Sequence, residues 1–183
     1  MSSKVLPLIV IMVVVVVFFQ LMNPGYLGQR NILIMFKSMS LVGILGVGIS
    51  MLLLSGEIDL ATSAEATLSG VLVGILLSRG VPWLLAVLIT LAGGAIMGAV
   101  NALLVNGLNM MSFIATIGIS SVWSGVSMLI TRGSPVKFSS NSGFVKMGSI
   151  SVLGIFPVAF IVMIALLLVY GLILSQTKFG RSI

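Results

Sequence analysis

The chain has 183 residues, 59% of them hydrophobic and only 7% charged, against about 25% charged in a soluble domain, so a water-soluble globular fold is excluded. It has no cysteine and no histidine, which excludes disulfides, thiolate metal sites and histidine-dependent intramembrane proteases or oxidases; neither metal nor cofactor is expected. The net charge of +6 is spread over short polar segments, a pattern for loops and lipid headgroups rather than for nucleic acid.

The expected fold is all-α and polytopic. Apolar runs predict six membrane spans in a single transmembrane domain over 1–183, at 5–22, 32–54, 62–79, 83–105, 113–131 and 157–175. Each run suits ~30 Å of hydrocarbon at 1.5 Å per residue. Lys4 ahead of Val5–Met22 resembles a signal-peptide start, but no small-residue cleavage site follows and further apolar runs do, so the run reads as an uncleaved first span. Asn23-Pro24-Gly25-Tyr26 marks a turn. Gly43, Gly46 and Gly48 fall in the second span, where a neighbouring helix can come close or the helix can bend.

Between the second and third spans lie Glu57, Asp59 and Glu65, the three acidic residues of the chain. A carboxylate at mid-membrane costs roughly 2.5–3.5 kcal/mol on insertion scales, so these acids sit either at a membrane surface or against a wet, protein-lined interior. Thr62, Ala66, Gly70, Gly74 and Ser78 recur every fourth residue in the third span; Thr90, Gly94, Gly98 and Ala102 do so in the fourth. Such small-residue stripes serve close helix packing in lipid. Asn101 stands beside the second stripe and needs partners if buried. Asn106-Gly107-Leu108-Asn109 breaks the fourth helix. Thr116, Ser120 and Ser124 share one face of the fifth span, where they either bond back to the i−4 carbonyl or line a polar path. Arg132 to Phe156 is a long polar connection, expected to be folded or to face a partner. By the positive-inside rule the five basic residues from Arg30 to Lys146 in the opposite loops put both termini outside.

Several blocks in order resemble the permeases of bacterial ribose/xylose-type ABC importers. Gly56-Glu57-Ile58-Asp59-Leu60 with Leu68-Ser69-Gly70 is similar to the family's Gly-x-x-Asp-Leu-Ser…Leu-Ser-Gly signature; Gly98-Ala99-Val100-Asn101-Ala102-Leu103-Leu104-Val105, Phe113-Ile114-Ala115-Thr116-Ile117-Gly118, Gly133-Ser134-Pro135-Val136 and Thr177-Lys178-Phe179-Gly180-Arg181 match further blocks. The resemblance implies a multi-pass permease of the bacterial cytoplasmic membrane that works with a second permease copy, an extracytoplasmic solute-binding protein and a separate ABC ATPase. It puts both termini inside, against the charge count, with Lys178, Phe179, Gly180 and Arg181 near the ATPase. It also makes the Arg132–Phe156 connection extracytoplasmic. Two departures stand out: Ala61-Thr62-Ser63-Ala64 replaces the family's Ser-Val-Gly-Ser, and Glu65 stands where the family has an apolar residue. The match covers the N-terminal half of a permease, so a fragment, a split subunit and a truncated product all remain open.

On this reading Gly70, Gly74, Gly94 and Gly98 pack helices around a path where Asn101, Thr116, Ser120 and Ser124 offer weak, exchangeable hydrogen bonds to a polar solute such as a sugar. No catalytic residue is expected. The residues leave two alternatives: an ion-coupled carrier titrating Asp59 and Glu65, or a non-transporting truncated membrane subunit.

Overall fold

Runs that are apolar on every side have no single stripe to hide. In lipid they become helices because a helix satisfies each backbone group within its own segment. The computed structural model describes residues 2–139, 143–152 and 154–176. Along the chain come α1 (Ser2–Met22), α2 (Gln29–Leu54), α3 (Thr62–Ser78), α4 (Trp83–Ala102), a π-helical turn (Leu103–Gly107), α5 (Ser112–Thr131), α6 (Gly143–Ser149), a two-stranded hairpin of β1 (Ser151–Val152) and β2 (Phe156–Pro157), and α7 (Val158–Gln176). The strands are antiparallel, with Ser151 opposite Pro157 and Val152 opposite Phe156.

The protein is thus a polytopic helical membrane protein. Among the described residues, five stretches, Val5–Met22, Gln29–Leu54, Trp83–Gly107, Ser112–Thr131 and Val158–Gln176, are long and apolar enough to cross a membrane. The third expected span is shorter: α3 has 17 residues, about 26 Å at 1.5 Å per residue against ~30 Å of hydrocarbon. The long connection is folded, holding α6 and the hairpin.

The helices pack in two groups. In one, α2 lies against α7 and β2; in the other, α3 lies against both α4 and α5; α6 touches α4 and α7 and so meets both. The first group is pinned by Phe36, Phe156 and Phe160, with ring centroids 4.7–5.7 Å apart, and by Gln29 Nε2 donating to the Gly154 carbonyl at 2.9 Å. Ser40 and Pro157 are fully buried there. A side chain on Gly43 would run into Met163 of α7.

In the second group the buried residues include Ala61, Ala64, Ala86 and Ala115, with Leu77 and Met97. Glycine makes close approaches at Gly93, beside Leu72 of α3, and at Gly74, covered by Val136 and Phe138. A Cβ added at Gly70, Gly94 or Gly98 would meet nothing within 4 Å in this chain. None of the apolar stretch of α1 is buried. At the end of α5, Arg132 (φ 52°) and Gly133 (φ 68°) are both left-handed, so the chain turns sharply back towards Gly74.

Substituting Gly43 by leucine is expected to destabilise the α2–α7 contact by about 1–3 kcal/mol. Alanine at Gly46 or Gly48, where a Cβ meets nothing within 4 Å, should be neutral or slightly stabilising through helix propensity. Thermal unfolding of the purified variants in detergent checks both.

Candidate functional site

A chain leaving one membrane helix and entering another through a non-helical segment must find partners for the amides the helix no longer serves. Residues 55–61 are such a segment. Its first turn closes on α2, where the Gly56 and Glu57 amides donate to the Leu53 and Leu52 carbonyls at 3.1 and 2.9 Å. Beyond it the partners come from side chains. The Ile58 amide donates to Ser112 Oγ at 3.3 Å and the Leu60 amide to Thr116 Oγ1 at 3.2 Å, both on α5. The Ala61 amide donates to Asp59 Oδ1 at 2.7 Å, and the Thr62 hydroxyl to Asp59 Oδ2 at 3.1 Å. The spacing fits: two residues of extended chain advance about 6.6 Å and four residues of helix about 6.0 Å, so alternate amides meet hydroxyls one helical turn apart.

Thr116 is 3% exposed. Its hydroxyl also donates to the Ser112 carbonyl, four residues back, at 2.8 Å. The hydroxyl thus bonds back along its own helix while it accepts from the Leu60 amide.

α4 closes the third side. Asn101 Nδ2 donates to Glu65 Oε1 on α3 at 2.8 Å, while Asn101 Oδ1 is buried without a partner among the described residues. One turn on, α4 widens into its π turn, with the Leu108 amide reaching five residues back to the Leu103 carbonyl at 3.0 Å. Asn109 (φ 51°) then turns the chain towards α5. Widened turns of this kind are frequent at functional sites. Here the turn carries Asn106 to the wall of a cavity of about 190 Å³. Leu52, Glu57, Ile58 and Asp59 form one side of that cavity; Gly98, Asn101, Ala102, Val105 and Asn106 form the second; Ser112 and Thr116 form the third.

Of the expected path residues, Asn101 and Thr116 meet at this cavity, together with the acids Glu57 and Asp59. Ser124 does not: it lines a second, more open cavity of about 590 Å³ near the other end of α3 and α5, with Thr67, Gly70, Gly74, Ser127 and the loop Gly133–Phe138. Ser120 is half-buried on α5 between them. Glu65 sits behind Asn101 as its hydrogen-bond partner. Lys178, Phe179, Gly180 and Arg181 lie outside the described residues. Ser112 and Asn106 also line this cavity and are not among the path residues expected from the sequence. Ser112 was legible, being one turn before Thr116 on the hydroxyl face; the π turn that places Asn106 leaves no comparable periodic signal.

A family model described as "Branched-chain amino acid transport system / permease component" matches residues 31–183. The chain is 32% identical over 169 residues to the ribose import permease protein RbsC of Bacillus subtilis (strain 168), covering 92% of this chain and 52% of that protein. It is 29% identical over 183 residues to the autoinducer 2 import system permease protein LsrD of Escherichia coli (strain K12), covering 97% of this chain and 55% of that protein. The chain thus spans about half the length of the curated relatives it matches. No solved structure matches it.

Replacing Thr116 by valine keeps the shape but leaves the Leu60 amide without its acceptor. The expected loss is about 1–3 kcal/mol of stability, while serine, which keeps the hydroxyl, should lose much less. Thermal unfolding of the two variants side by side separates the hydrogen bond from packing.

Proposed function

The chain belongs to the branched-chain amino acid transport system / permease component family, and on that premise we propose that it is a membrane-spanning permease part of an ABC importer. The solute class we assign is a neutral, hydroxyl-rich molecule, a sugar or a compound of similar polarity. The match over residues 31–183 carries the assignment to transport. Relatives named for ribose and autoinducer 2 import support the solute class, as does a cavity wall that mixes Leu52, Ile58 and Val105 with amides and hydroxyls. Carbon faces pack on the apolar side chains while hydroxyls exchange bonds with the polar ones, and neither contact is deep enough to trap the solute.

Work would come from a separate ABC ATPase. Solute would be delivered by an extracytoplasmic binding protein, and a second permease copy would complete the pathway in the bacterial cytoplasmic membrane. The end Lys178–Arg181 would lie towards the ATPase, Ser120 and Ser124 would extend the path along α5 to the larger cavity, and Gly70, Gly94 and Gly98 would admit helices from outside this chain.

The ion-coupled reading is less favoured. Asp59 has one oxygen on the Ala61 amide and the other on the Thr62 hydroxyl, and Glu65 accepts from Asn101, so both acids are engaged in holding the fold.

Uptake of radiolabelled D-ribose, D-xylose and autoinducer 2 by cells carrying the natural gene, its deletion and its restoration provides the test. At least one solute should be taken up in a manner that needs this gene and an ABC ATPase gene and that survives a protonophore. Uptake that survives loss of the ATPase and collapses with the protonophore contradicts the proposal.

A further inference from the structure

A polar side chain in a cavity wall can serve a solute only if the fold does not already use it and its atoms can be reached. Three of the polar side chains around the 190 Å³ cavity fail on one count or the other. Asp59 has both oxygens bonded, to the Ala61 amide and the Thr62 hydroxyl. Asn101 gives its NH₂ group to Glu65, and its Oδ1 is buried. Thr116 is 3% exposed, accepts from the Leu60 amide and donates to the Ser112 carbonyl.

Two side chains are left wholly uncommitted. Glu57 is half-buried in the segment 55–61, and Asn106 is exposed on the π turn. Among the described residues neither makes a side-chain hydrogen bond or an ion pair, and neither has a polar atom buried without a partner. They belong to different sides of the cavity. On the third side, Ser112 Oγ accepts from the Ile58 amide, which leaves its O–H proton to donate.

We infer that Glu57 and Asn106 are the residues through which this cavity holds its solute, Glu57 accepting a hydroxyl proton and the Asn106 amide donating to a hydroxyl oxygen. The inference rests on the permease reading and deepens it by naming the groups that touch the solute. The pairing suits a molecule with several hydroxyls better than a cation. An ammonium group only donates, so it would serve Glu57 and leave the Asn106 NH₂ group and the Ser112 hydroxyl without an acceptor. A hydroxyl both donates and accepts, and neighbouring hydroxyls on one molecule can meet both walls at once. A bond to an ionised carboxylate is stronger than one between neutral groups, so Glu57 is the contact whose loss is felt most.

The test uses the full chain in lipid nanodiscs, with asparagine labelled by ¹⁵N and the Asn106 side-chain signals assigned by their loss in Asn106→Leu. D-ribose, D-xylose and ethanolamine serve as probes. In the wild type at least one of the two sugars should shift the Asn106 signals saturably. Glu57→Leu should weaken the apparent affinity about threefold or more, as expected for one lost hydrogen bond. Glu57→Gln, which keeps an acceptor of the same shape without the charge, should fall between leucine and the wild type. Glu57→Met replaces leucine if the leucine variant does not fold.

A leucine or methionine variant that binds the sugar as tightly as the wild type overturns the inference. So does a wild type whose Asn106 signals answer neither sugar, whether or not they answer ethanolamine. The readout needs no transport, so a failure here is distinct from a failure of ATPase-dependent uptake in cells, which would overturn the permease reading instead.

Discussion

Every backbone amide inside a membrane protein must be paired, and residues 57–61 are where this chain meets that demand without a helix. The Glu57 amide closes on the Leu52 carbonyl of α2, and the Ile58, Leu60 and Ala61 amides find hydroxyls one turn apart on α5 and the carboxylate of Asp59. The consequences spread outward from there. α3 begins only at Thr62 and is correspondingly short. α5 must present Ser112 and Thr116 to the segment, which sets its rotation about its own axis. α4, widened by its π turn, leaves room for a cavity instead of closing against the segment. Non-helical backbone in a membrane protein is tolerated where it is buried in protein or lines a cavity, and here Glu57, Ile58 and Asp59 line one.

The same constraint explains the cluster of acids. Asp59 spends both oxygens on the turn that starts α3, and Glu65 ties α3 to α4 through Asn101. A carboxylate in an apolar chain is costly unless hydrogen-bonded. Together the two acids stabilise an irregular entry to a helix that propensity alone would not place. The resulting cavity mixes apolar side chains such as Leu52, Ile58 and Val105 with amides, hydroxyls and carboxylates. Such a mixed lining is compatible with membership of a permease family.

Much of this was legible in the sequence because membrane helices are announced by length and composition. The six apolar runs correspond to five long helices and the shorter α3, and the break after Asn106 and the folded loop beyond Arg132 follow from their glycines, asparagines and charges. The special character of the stretch around Asp59 followed from the cost of its charge. What sequence could not supply was partnership. A four-residue stripe shows which residues share a face, not what lies opposite: the close contacts fall at Gly43, Gly74, Gly93 and the buried alanines, while Gly70, Gly94 and Gly98 face open space. The hydroxyl face of α5 likewise divides between two cavities, Thr116 at one and Ser124 at the other, a split that periodicity does not contain. The pairing of Glu65 with Asn101 joins residues 36 apart in sequence and depends on how α3 crosses α4.

Hydrogen–deuterium exchange of the amides of residues 57–61, measured on the whole chain in nanodiscs, tests the central claim most directly. The account predicts that Ile58, Leu60 and Ala61 exchange slowly, at rates near those of the flanking helices, because α5 and Asp59 hold them. Exchange as fast as that of an unprotected amide would contradict it, for the segment would then be a solvated loop and not the wall of a site.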